Sequence, residues 1–256
     1  VNVGRLKALA FGSLGILAAG CDPDAATGPS RDRSGDASGS RRPASSIRLP
    51  EVDPRLCVGV AILVDTSSSM QQQVRDSEGR KRPKEEIARE ALERIIKITE
   101  EWQAAHADSQ LELGIFKFAS DVSVVFPMGP FDAEKTRANL GRLHASSGTA
   151  IGRALESAFK QLCASGCVRK HILCITDGEN TSGPSPEQVA QAYFEATQGE
   201  VAIHFVAFDT SASKFRFLER VNGSAVEAAD GGQLQSQLTQ IYEKQILAEA
   251  MPAERD

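Results

Sequence analysis

The sequence predicts an α/β fold: a doubly wound, mostly parallel sheet with one antiparallel edge strand and helices on both faces. Three observations point there. Short, nearly unbroken apolar runs at 58–64, 171–176 and 201–208 read as strands buried on both faces. Stretches with apolar residues at helical spacing separate them, and strands alternating with helices give a parallel sheet. The runs 111–118 and 122–126 are joined by only Ala119-Ser120-Asp121, too short for a crossover, so one hairpin supplies the antiparallel strand.

Each element follows in order. The run from Val58 to Val64 ends at Asp65, and a polar loop comes next. Pro83 opens a helix, where its missing N–H costs nothing. Ile87, Ala91, Ile95, Ile98 and Trp102 then recur on one face. After the hairpin, 149–162 reads as a helix with Ile151, Leu155, Ala158 and Leu162 in line. Strand 171–176 runs into Asp177-Gly178. A helix over 186–197, the strand 201–208, a short helix over 214–221 and a short edge strand at 224–226 lead to the last helix. That helix, 233–248, aligns Leu234, Leu238, Ile241 and Gln245. In open sheets of this kind ligands bind beyond the carboxyl ends of the strands, so the residues after Val64, Thr176 and Phe208 matter most.

Composition narrows the function. A net charge of -5 supplies no basic field for nucleic acid, and a single Trp with 5% aromatic residues offers few stacking platforms. No nucleic-acid partner is expected. Arg5 and Lys7 precede an apolar run from Ala8 to Ala19, which reads as an export signal over 1–20, too short to span a bilayer. Its ending, Leu17-Ala18-Ala19-Gly20-Cys21, resembles a bacterial lipobox. That resemblance implies a lipoprotein acylated at Cys21, held on a membrane in the cell envelope and facing the periplasm or the exterior. Residues 21–55 read as a flexible tether: Asp22 to Pro50 are mostly Ser, Gly, Asp, Arg, Ala and Pro, and as a coil they span about 30 Å. The folded domain is expected over 56–250, with a short tail at 251–256.

Export permits disulfides. Cys174 lies inside a strand and reads as a buried thiol. Counting back from Asp65 and Asp177 leaves Cys57 and Cys167 out of register by roughly 7 Å of strand rise, which a loop absorbs. Cys163–Cys167, closing an Ala-Ser-Gly loop, is the competing pair.

The chemistry gathers in three segments. Asp65-Thr66-Ser67-Ser68-Ser69-Met70 places a carboxylate and two hydroxyls at alternate positions on a turn leaving a strand. Thr149 adds a hydroxyl before a helix, and Asp177 ends the strand expected beside the first. Oxygen-only ligands suit a hard cation. The spacing alone is weak, because Asp209-Thr210-Ser211-Ala212-Ser213 repeats it; that second copy reads as a capping turn before Lys214.

Together the segments 64–70, 147–151 and 175–179 resemble the metal-ion-dependent adhesion site of von Willebrand factor A domains, a Rossmann-like family, over roughly Cys57 to Ala248. By that resemblance Ser67, Ser69 and Thr149 contact a divalent cation, Mg²⁺ first with Mn²⁺ or Ca²⁺ as alternatives, while Asp65 and Asp177 hold it through water or hydrogen bonds. Ser68 stands where the family usually has Gly. The resemblance implies a protein-binding module whose partner offers an Asp or Glu to the metal. A non-adhesive scaffold in an envelope complex is the alternative, and a metal-dependent hydrolase a more distant one. No catalytic residue is expected: His144 alone approaches the site, and His106, His171 and His204 form no ligand pair at usable spacing.

Overall fold

The computed structural model describes residues 47–143 and 147–250. The signal segment 1–20, Cys21, most of the tether, His144 and the tail 251–256 lie outside the described residues. Six strands form one sheet in the order β5-β4-β1-β6-β7-β8. The central strand β1 (Arg55–Asp65) pairs in parallel with β4 (Gln110–Phe118) and β6 (Cys167–Thr176). Beyond β6 come β7 (Val201–Phe208) and β8 (Gly223–Ala228), both parallel. The hairpin strand β5 (Val122–Pro130) is the single antiparallel member of this sheet and lies at its edge.

Strand burial explains why the sheet forms here. From Cys57 to Asp65 every residue of β1 is buried, and successive residues alternate between two cores. Val58, Val60, Ile62 and Val64 face α1 (Lys84–Ala105), α2 (Ala133–Leu140) and α5 (Gly231–Ile241). Ala61 and Leu63 face α3 (Ile151–Ser165) and α4 (Pro186–Ala196). In α3, Ile151, Leu155, Ala158 and Leu162 are each fully buried, and the two Leu and the Ile contribute on the order of 1.5–3 kcal/mol apiece. Gly166, at φ 74°, ends that helix in the left-handed region, which only glycine enters freely.

Four differences from the sequence reading have local causes. A two-stranded ribbon, β2 (Gln73–Arg75) with β3 (Lys81–Pro83), occupies the loop after β1, too short and polar to show periodicity. Helix α2 was not anticipated; Asp132 caps it by accepting from the Lys135 amide. At the end of the segment read as a tether, Ile47 and Leu49 pack against the second core and Arg55 already belongs to β1. Gln245 is exposed rather than aligned with the apolar face, since α5 passes into a π turn, Tyr242–Ile246, that hands the buried positions to Tyr242 and Ile246.

The amino end of the sheet is cross-linked. Cys57 and Cys167 form a disulfide with Cα atoms 4.8 Å apart, while Cys163 and Cys174 are free, buried thiols. A register shift between Arg55 and Val58 brings the pair together.

Candidate metal centre

At the carboxyl end of β1, Asp65 is fully buried. Its Oδ1 accepts from the Ser67 amide at 2.7 Å and its Oδ2 from the Thr176 hydroxyl at 2.6 Å. Burial pushes the carboxyl up to about 6, against the hydrogen bonds from Thr176 and Ser67 and with a further push from Asp177. The turn then enters a single 3-10 turn, Ser68–Gln71, which swings Ser67 and Ser69 to one side. Their Oγ atoms are 2.9 Å apart, and Ser69 Oγ donates to Asp177 Oδ1 at 2.7 Å. Ser68 tolerates its position because its φ is not positive; among the described residues only Gln198 and Asp209 depart in that way without being glycine.

The loop bearing Thr149 is tied to the same edge. Gly148, at φ 80°, lies so close to Ser120 that a Cβ would sit 3.1 Å from its Cα. Thr149 accepts from the Thr181 amide at 2.8 Å, and its own amide donates to Thr181 Oγ1 at 2.9 Å. Its Oγ1 stands 3.7 Å from the point where a Cβ on Gly178 would be, directly after Asp177. The structure therefore connects Asp65, Ser67, Ser69 and Asp177 by hydrogen bonds, and brings Thr149 against the residue that follows Asp177.

Two further residues belong to this edge. Lys84, the first residue of α1, is buried, and its Nζ donates to Asp177 Oδ2 at 3.0 Å and to Gln72 Oε1 at 3.4 Å. The same ammonium is 2.8 Å from Asp209 Oδ2. Burial alone would depress its pKa, but the hydrogen bonds to Asp209 and Asp177 outweigh that and hold it above an ordinary lysine. One signal in the sequence could have found it: a lysine opening a helix faces the positive end of the macrodipole and needs acidic partners. The other is Thr176, whose hydroxyl holds Asp65 from the neighbouring strand.

The donor set fits a hard divalent cation. All the groups are oxygens, and Asp65 is pushed upward mainly by burial, with a smaller push from Asp177. Around an octahedral ion with oxygens at about 2.1 Å, adjacent ligands stand about 3.0 Å apart. The 2.9 Å between the Ser67 and Ser69 hydroxyls is compatible with such an edge, and Asp177 orients Ser69 from behind at 2.7 Å. Elsewhere, Cys57, Glu112 and Cys167 cluster, but both sulfurs are committed to the disulfide and offer no thiolate.

The described histidines are engaged away from this edge. His106 stacks on Trp102 at 4.9 Å, and His171 lies 5.6 Å from His204, ring to ring. The second Asp-x-Ser-x-Ser segment caps a 3-10 helix, Ala212–Arg220: Ser211 accepts from the Ser213 amide.

Residues 60–179 match the family model described as the von Willebrand factor type A domain. A search of curated protein sequences returns no match. Among solved structures, a von Willebrand factor type A protein from Catenulispora acidiphila is 22% identical with a TM-score of 0.58, and the match covers 74% of this chain and 42% of that one. The PilB minor pilin from Streptococcus sanguinis is 14% identical with a TM-score of 0.62, covering 81% of this chain and 65% of its own. An aerotolerance-related membrane protein from Bacteroides fragilis is 19% identical with a TM-score of 0.53, covering 73% and 99% respectively. This chain thus spans less than two thirds of the first two, and the likeness to all three is one of fold.

Proposed function

We propose that this chain, whose residues 60–179 match the von Willebrand factor type A domain model, works as a metal-dependent protein-binding module on a lipid-anchored protein of the cell envelope. The observation that carries the reading is the run of oxygens from Ser67 through Ser69 to Asp177, 2.9 and 2.7 Å apart, at the carboxyl edge of the sheet. Ser67, Ser69 and Thr149 would hold a divalent cation, Mg²⁺ foremost, with Asp65 and Asp177 behind them. Such an ion, held by neutral hydroxyls, supplies a positive centre with room for a carboxylate from another protein.

The chain's own residues do the rest. Asp65 keeps the Ser67 amide and the Thr176 hydroxyl, so the turn cannot rotate its hydroxyls away. Ser69 is oriented by Asp177, and Thr149 by the loop 181–182. One contact of this kind anchors an interface whose area alone would give modest affinity. Binding is favoured over catalysis because Lys84, the buried base at this edge, is already committed to carboxylates and would be a poor proton acceptor.

A membrane location is supported by the lipobox-like Leu17–Cys21 segment and by the pilin and membrane protein that share the fold. Among the described residues no helix is long and apolar enough to cross a membrane. Crosslinking in intact cells tests the whole reading: the partner adduct should vanish on chelation and in Asp65→Ala. An adduct pattern indifferent to both leaves the scaffold alternative standing.

A further inference from the structure

We propose that Lys84 is the resident counter-charge of the metal centre, a positioning residue that holds Asp177 in place and limits how tightly the site takes a divalent cation. The inference rests on the metal-binding reading above and asks what else sets its strength. Lys84 and Asp177 are a buried pair, with side chains 3% and 0% exposed. Pairs like this return little net stability, because desolvating both charges offsets their attraction. Stability alone is therefore a weak reason for this lysine.

The geometry gives it a better one. All three ammonium hydrogens have an acceptor: Asp177 Oδ2 at 3.0 Å, Gln72 Oε1 at 3.4 Å and Asp209 Oδ2 at 2.8 Å. The two oxygens of Asp177 are thereby divided, Oδ1 toward the Ser69 hydroxyl and Oδ2 toward Lys84. Any cation beside Ser69 shares one carboxylate with an ammonium that cannot retreat to solvent. Asp65 and Asp177 line the site, Asp209 reaches it only through Lys84, and the ammonium cancels one of these three negative charges.

Asp209 is a second partner that holds the ammonium from another strand end. It sits at φ 52°, sparsely populated for a residue with a side chain, pinned by its amide to the Ala228 carbonyl at 2.7 Å and by its carboxylate to Lys84. Lys84 thus ties the start of α1 to the ends of β6 and β7. Removing its charge would leave the buried Asp177 without its cation, while Asp209 is half exposed to solvent, and so make the site more attractive to a divalent ion.

The test measures Mn²⁺ binding to the full, oxidised chain by electron paramagnetic resonance, with Mn²⁺ alone as probe. Lys84→Met should tighten binding about tenfold, Lys84→Arg should stay near wild type, and Asp209→Asn, which keeps the tolerant backbone type, should weaken it about threefold. Tightening is not an outcome of structural damage, and near-UV circular dichroism reports folding. Should Lys84→Met fail to fold, Asp209→Asn decides alone: weaker binding supports the proposal and unchanged binding overturns it. If wild type and Lys84→Met bind alike while Ser67→Ala abolishes binding, the Lys84 inference falls and the metal reading stands. If neither binds Mn²⁺, both fall together. Binding by Lys84→Met but not by wild type is the strongest support.

Discussion

Two segments of this chain, Asp65–Ser69 and Asp209–Ser213, carry the same Asp-x-Ser-x-Ser spacing, and each follows a parallel strand of one sheet. In both, the two Ser hydroxyls stand 2.9 Å apart. Their surroundings differ. The first follows the central strand, where β4 and β6 flank it, so Asp65 and Ser67 are buried and a second carboxylate, Asp177, arrives from the next strand. The second follows β7, one strand from the edge; Ser211 and Ser213 are exposed, and the acid they meet, Glu227, binds Ser211 and the Ala212 amide and so completes a cap. A motif of short polar residues acquires its chemistry from strand position: each copy meets a carboxylate from the neighbouring strand, but only in the sheet interior are its Asp and first Ser buried.

The largest test of this contrast is to remove the hydroxyls from each copy in turn. Ser67→Ala/Ser69→Ala should weaken Mn²⁺ binding by about a thousandfold, beyond the ten- to hundredfold that an outer partner costs. Ser211→Ala/Ser213→Ala should leave it unchanged. Equal losses in both variants would erase the distinction.

A second experiment sharpens the comparison by fixing the pH at which stability is read. His171 and His204 lie on β6 and β7 with ring nitrogens 3.4 Å apart. Burial, with Arg169 beside His171 and His171 beside His204, depresses each to about 4. Glu249 lies 3.4 Å from His171 Nε2, which nevertheless has no hydrogen-bond partner, and His204 Nδ1 faces Ser224 at 3.4 Å. The unfolded chain takes up these protons near 6.5 and the folded one near 4. Their stabilising contribution is complete above pH 6.5 and is lost as pH falls toward 4, at up to about 1.4 kcal/mol per pH unit for each proton. Urea unfolding of wild type across that window should show the histidine slope reduced by one opposing proton, because Asp65, held near 6, takes up its proton in the folded state first; His171→Gln/His204→Gln should remove the histidine part and leave the opposite, Asp65 slope. An identical slope in the double variant would place the proton uptake elsewhere.

The smallest expected effect is on the edge copy itself. Ser211→Ala, measured by urea unfolding at pH 7, should cost about 1 kcal/mol, the ordinary value of a lost cap. A loss several times larger, or any change in Mn²⁺ affinity, would mean that the two loops are more alike than their burial implies.

How much of this was legible in the sequence varies with distance along the chain. Long apolar strands and the periodic faces of α1 and α3 were readable because their periods recur locally. Helix α2 and the β2–β3 ribbon were not, being too short for a period to repeat. At the site, Asp65, Ser67 and Ser69 announce themselves by spacing, whereas Lys84 reaches a partner 93 residues away and left only its awkward place at a helix start as a sign.

By itself the sequence determined the fold class, the order of the elements and the three segments whose hydroxyls and carboxylates make up the candidate site, because hydrophobic period and turn chemistry act between near neighbours. Only the tertiary structure decided which of two identical motifs is desolvated, which cysteine meets Cys167, and which charge stands behind Asp177. Those outcomes depend on strand order and register across the sheet, and on the dielectric each position inherits from its neighbours, which no short stretch of chain encodes.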